Sequence, residues 1–180
     1  MSKLMMKLTI GSEAVFFICL LVAYLYFWRA GNFQKEATEH LHIKTTALFS
    51  IALLSSSFTF YMAERRERKQ QGSGKIWLLV TILLGLIFLS GQGHEYYRLI
   101  EEKLLISKNE FGSSFYTLTG FHGLHVLIGL IILCIAFSLI WKGTVKNNIS
   151  LLQTIGIYWH FVDIVWIFVF TTIYVLPYLV

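Results

Sequence analysis

The sequence predicts an all-α membrane protein: a single bundle of five transmembrane helices, with the N-terminus in the cytoplasm and the C-terminus outside. Three observations carry this. Charged residues make up 14% of the 180, against about a quarter in soluble domains, so much of the surface is built for something other than water. Five apolar runs each reach the roughly 20 residues that span a bilayer. The one proline is Pro177, so all five runs are free of the strongest helix breaker.

The first run extends from about Leu8 to Trp28. Lys3 and Lys7 before it give the N-terminus the look of a signal peptide, but the run is too long for an h-region and no A-x-A site follows, so a retained first span is expected. The second run covers about 43–62 and carries Ser55, Ser56, Ser57 and Thr59, which can bond across helices or back to their own backbone. The third covers about 76–97, with Gly85, Gly91 and Gly93. The fourth covers about 115–141, with Gly120, Gly123 and Gly129. These glycines allow close backbone approach. The fifth covers about 151–176. The connections are short and polar, leaving no room for a soluble domain, and the second holds the flexible Gly72-Ser73-Gly74.

Net charge is +5, and its placement reads as topology. Lys3, Lys7, Arg65, Arg66, Arg68, Lys69, Lys75, Lys142 and Lys146 fall on one side. Arg29, Lys35, Lys44, Arg98, Lys103 and Lys108 fall on the other. The richer side is expected to face the cytoplasm. No basic stripe with interleaved aromatics suggests nucleic acid. Cys19 and Cys134 lie singly inside apolar runs and read as small packing residues, with no Cys–His cluster of metal-site spacing.

Ionisable groups inside a bilayer are costly and therefore informative. Glu13 lies near the cytoplasmic end of the first span, where it either snorkels to water or contacts lipid headgroups, a neighbouring subunit or a proton route. His122 and His125 share one face of the fourth span. His160 and Asp163 repeat that spacing on the fifth. Together the four suggest a buried polar layer between these spans, either packing glue or a place for a ligand or proton. Gln92, His94 and Glu95 close the outer end of the third span as rim polar groups. His40 and His42 fall in a connection and are expected to be solvated. His122 and His160 come to similar depth, so a bis-histidine haem, and with it a haem-binding membrane anchor, stays a rival reading. A small transporter relaying protons through His160 and Asp163 is a second, weakened by the lack of a broken helix or inverted repeat.

The stretch 115–126, FYTLTGFHGLHV, resembles the "TGFHGLHV" signature of the cytochrome c oxidase subunit III family. The stretch 158–166, YWHFVDIVW, resembles its last-helix "YWHFVDVVW" signature. Glu13 within SEAVFF resembles the "SEVFFF" start of another family helix, and Gln92, Glu95 and Tyr96 fit its "Q-x-x-E-Y" segment. The matches follow chain order and span nearly all of the sequence.

The resemblance implies a non-catalytic subunit that holds no cofactor of its own. Haem and copper would sit in partner subunits, and subunit I would be the main partner within a proton-pumping oxidase that reduces oxygen to water. It further implies bound phospholipid, support of assembly and of proton uptake by subunit I, endurance during turnover, and a place in the aerobic respiratory chain, alone or within a supercomplex. The expected location is the inner (cytoplasmic) membrane of a prokaryote. Carried over, Glu13 would match the family's buried carboxylate near the cytoplasmic side, with Trp28 and Arg29 as further lipid or proton-uptake candidates. His122, His125, His160 and Asp163 would match its inter-helix polar residues, and Glu95 a carboxylate near the outside. Larger members have seven helices, and this chain resembles the last five. Many show a histidine after the aromatic run that here ends in Trp28-Arg29, and His94 is not part of the pattern. The family also includes subunits III of quinol oxidases and a homologue linked to nitric oxide reductase.

Overall fold

The structure is a computed structural model and describes residues 3–31, 33–69, 74–104, 110–143 and 148–179. Gly72, Ser73, Lys108 and Lys146, used above, lie outside the described residues. The described residues form six α-helices: α1 (Lys3–Ala30), α2 (Phe33–His40), α3 (Ile43–Arg68), α4 (Gly74–Glu101), α5 (Glu110–Trp141) and α6 (Asn148–Phe170). Five are long and apolar enough to cross a membrane, α6 together with the turns that extend it to Tyr178. All five overrun the expected spans, because helical geometry persists through polar end turns that hydropathy excludes. At 1.5 Å per residue, the start at Lys3 puts Glu13 roughly 15 Å along α1.

The element missing from the sequence reading is α2. Eight residues that read as a polar connection fold as an amphipathic helix, burying Phe33 and Ala37 on one face, with Leu41 just beyond. Gln34 Nε2 donates to the Pro177 carbonyl at 3.3 Å, which ties α2 to the far end of the chain. Two or three apolar positions in eight are too few for a hydropathy signal.

Helix ends follow local rules. At the end of α4, Leu104 N–H donates to the Leu99 carbonyl and Lys103 N–H to the Ile100 carbonyl. Lys103 takes φ +62°, a left-handed cap. Leu99 and Leu104 are both buried, supplying the apolar contact that goes with this cap. Gly143 ends α5 the same way at φ +67°, without the Cβ penalty that Lys103 bears. At the end of α6, Pro177 has no N–H to offer the Ile173 carbonyl. The helix there widens into a π-helical turn, Thr171–Val175, then tightens into a 3₁₀ turn, Leu176–Tyr178.

In the bundle, α3 and α4 form the tightest pair, and α6 touches α1, α3 and α5. Lipid chains are as apolar as leucine, so close packing and inter-helix hydrogen bonds hold such a bundle. Trp159 and Trp166 of α6 are fully buried, and their Nε1–H groups donate to Ser56 and Ser50 of α3 at 3.0 and 2.8 Å. The Trp159 ring lies against Gly85 of α4 and Gly129 of α5. Thr59 and Thr81 join α3 to α4 at 2.8 Å. Helix α1 is the least enclosed: 11% of its most apolar window is buried, against 33–44% for the others. Cys19 and Cys134 face outward rather than packing inside.

Candidate functional site: buried polar groups within the membrane span

Glu13 of α1 meets His125 of α5, with Oε2 and Nε2 3.1 Å apart. The ring's other nitrogen, Nδ1, lies 2.7 Å from the Phe121 carbonyl. A carbonyl can only accept, so Nδ1 carries a hydrogen. The Nε2 contact then requires a proton as well, held either by the Glu13 carboxyl or by the imidazole. Tyr158 of α6 donates its hydroxyl to the His125 carbonyl at 3.0 Å, and Phe17 packs edge-on to the ring. The pair is half-buried, at 32% side-chain exposure for Glu13 and 13% for His125.

The four residues of the expected polar layer lie apart in function. His122 is fully buried: its ring stacks on Trp166 at 4.8 Å, with Phe88 and Phe17 edge-on. Neither of its nitrogens has a hydrogen-bond partner among the described residues. His160 turns to α3, where Nδ1 lies 2.6 Å from Ser57 Oγ and Phe60 packs against the ring. Asp163 is buried; Ser57 also faces it, but the short Ser57 bond goes to His160, and no hydrogen bond of ordinary geometry reaches either carboxyl oxygen. His125 thus belongs with Glu13 between α1 and α5, and His160 with Ser57 between α3 and α6. The cause is helix rotation: residues three apart share a broad face yet differ by about 60° around the axis. The imidazoles of His122 and His160 are packed against different helices, which gives the bis-histidine reading no shared gap. Among the described residues, no three His, Cys, Asp or Glu side chains converge as a metal site.

At the opposite end from Glu13, Trp28 is half-buried beside Tyr24 and Arg29 is exposed. Sixteen residues of helix put Arg29 roughly 24 Å from Glu13 along the axis, so these candidates form no single cluster. His94 is exposed and His42 likewise, whereas His40, expected to be solvated, engages Glu102 at 3.0 Å.

Glu95 is buried and central to an ion network that the sequence did not reveal. It accepts from Thr46 of α3 at 2.7 Å and from Arg98 at 3.2 Å. Arg98 also reaches Glu102 at 2.6 Å and the His40 carbonyl at 2.7 Å. For Glu102, beyond the membrane-spanning part of α4, burial pushes the pKa up, but the His40 hydrogen bond and the Arg98 charge outweigh it, leaving the carboxyl below its ordinary 4.5. A depressed folded-state value contributes stability that is complete above the unfolded carboxylate value and is lost as pH falls through the folded one. Glu102→Gln should therefore lower the thermal midpoint at neutral pH, and the two stability profiles should converge as pH falls below about 4.5. A difference between the two proteins that stays constant from neutral to acid pH would refute this contribution.

The arrangement defines a class: a multi-pass helical membrane protein whose polar groups join its own helices. Comparison with known proteins narrows it. The family model described as cytochrome c oxidase subunit III matches residues 2–178. The chain is 41% identical over 174 residues to a probable cytochrome c oxidase subunit 3 of Nocardia farcinica, covering 92% of this chain and 83% of the relative. It is 36% identical to cytochrome c oxidase subunit 3 of Synechocystis, covering 92% and 71%. It is 31% identical to a probable quinol oxidase subunit 3 of Staphylococcus saprophyticus, covering 98% and 89%. The chain belongs to the cytochrome c oxidase subunit III family.

Proposed function

We propose that this chain is the cofactor-free subunit III of a proton-pumping haem–copper terminal oxidase of cytochrome c oxidase type. It is seated against subunit I in a prokaryotic inner membrane, with its N-terminus cytoplasmic. Family membership supports the partner class, and the bacterial relatives support the membrane. The Lys and Arg asymmetry supports the orientation. The haem and copper belong to the partner subunits. The chain's part is to support assembly, to hold phospholipid and to sustain proton uptake into subunit I, alone or within a respiratory supercomplex.

The observation that carries the role is the Glu13–His125 contact. It supports a proton shared between α5 and α1, the least enclosed helix of the bundle, on the side the charge pattern assigns to the cytoplasm. The quinol-oxidase relative favours one further reading, the same role beside a quinol-oxidising subunit I.

Purification of the tagged chain in mild detergent should bring along a large haem-containing subunit. Recovery of the chain alone would remove the oxidase reading. In the assembled complex, Glu13→Ala should shorten turnover lifetime several-fold and lower bound phospholipid. Glu13→Gln keeps an N–H donor for His125 Nε2 but no exchangeable proton, so lipid and assembly should hold while proton uptake slows. If lifetime, lipid content and proton uptake are all unchanged in Glu13→Ala, Glu13 has no part in the role.

A further inference from the structure

The outer half of the bundle holds a second polar site, built from α3, α4 and the π-helical turn that follows α6. A cavity of about 10 Å³ lies there, lined by Thr46, Gln92, Glu95 and Tyr174, with Phe88 and Trp166 as its apolar wall. That is close to the space the centre of one water molecule needs. Gln92 is its most telling member. Its Nε2 faces two acceptors, the Thr119 carbonyl at 3.5 Å and the Tyr96 hydroxyl, so the amide orientation is set. Its Oε1 is buried and has no hydrogen-bond partner among the described residues. Buried amide oxygens in folded chains are almost always satisfied, and Gln92 lines the cavity.

Charge decides what kind of ligand fits. The Glu95 carboxylate is already balanced by Arg98 at 3.2 Å, so an added cation would leave an uncompensated charge in hydrocarbon, at a cost of several kcal/mol. A neutral donor is favoured. From the structure we infer that this node is a binding site for one structural water, donating to Gln92 Oε1 and to a Glu95 oxygen, beside the Tyr174 hydroxyl, which is engaged by Thr46. Two partners lie within the range of roughly two to four that buried waters make.

The backbone supports the assignment. Tyr174 is fully buried beside Thr46 and Glu95, and it sits in the π-helical turn Thr171–Val175. Such turns recur where a helix re-aims a side chain at a functional site. The water joins Gln92 to Glu95 along α4, and Thr46, bonded to Glu95 and facing Tyr174, ties that node to α3 and to the end of α6.

The test is electron cryo-microscopy of the purified complex, at a resolution that shows ordered water. One peak is expected in the cavity, at about 2.7–3.2 Å from Gln92 and Glu95 oxygens. In Gln92→Leu, or Gln92→Met should the first not fold, the peak should be lost while the Thr46–Glu95–Arg98 contacts stay in place. Three outcomes would overturn the inference. One is a native cavity without a peak. Another is a peak at the roughly 2.0–2.6 Å of a bound cation. The last is a peak that persists at full strength in the Gln92 variant.

Discussion

Gly129→Val should unseat the α5–α6 contact and lower the thermal midpoint of the chain more than any other single change considered. The reason is the Trp159 ring. A Cβ at position 129 would stand 2.8 and 2.9 Å from its Cζ3 and Cε3 atoms, inside any real carbon contact. The ring cannot slide away, because Gly85 closes its other edge, where a Cβ would lie 3.1 Å from Cη2. Nor can it swing, because Nε1–H is held by Ser56. Three helices would have to separate together. Overpacking typically costs about 1–3 kcal/mol, and with both ring edges closed the upper end, about 3 kcal/mol, is expected. Gly129→Ala should give a smaller drop in the same direction. A detergent thermal melt of the valine variant that overlays the native one would show that Trp159 is free to move.

The second large effect is expected at Glu95. Glu95→Leu removes the acceptor of Thr46 and one partner of Arg98. Stranding a buried charge costs roughly 3–5 kcal/mol. Here Arg98 keeps Glu102 and the His40 carbonyl, so about 2–3 kcal/mol is expected. The double variant Glu95→Leu with Arg98→Leu distinguishes charge stranding from lost shape. Replacing both members of such a pair by apolar residues is often close to neutral, so the double variant should melt above the single one. A double variant that melts lower than Glu95→Leu would mean that Arg98 gains most of its hold from Glu102 and His40.

Much of this was legible from residue order alone, and the parts that were not share a cause. The five membrane-capable helices follow from hydropathy and the lone proline, since a bilayer core leaves an isolated apolar segment no backbone partner but itself. Glu13, His122, His125, His160 and Asp163 stood out because ionisable groups are expensive inside a bilayer. Their partners were not. Glu13 finds His125 across 112 positions and His160 finds Ser57 across 103, and pairings at that range depend on helix rotation, which one sequence does not encode locally. The ion network escaped for a related reason. Arg98 and Glu102 look like surface residues at a span's end, and the short helix α2, which carries His40 to them, is too small to register as periodic. Gly85 and Gly129 could be read as permitting close approach, but not that a single indole fills the space between them.

The two tryptophans of α6 also bear on how the chain is made. Helices α3, α4 and α5 leave the ribosome before the segment that carries Trp159 and Trp166. Until that segment enters the bilayer, the Ser50 and Ser56 hydroxyls lack the indole donors that reach them across helices, and the two glycine faces enclose nothing. Insertion of the final span therefore acts as the keystone step of biogenesis. A nascent polypeptide halted before residue 159 keeps the α3–α4 pairing and its Thr59–Thr81 bond but lacks the indole bridges that tie the last span to α3.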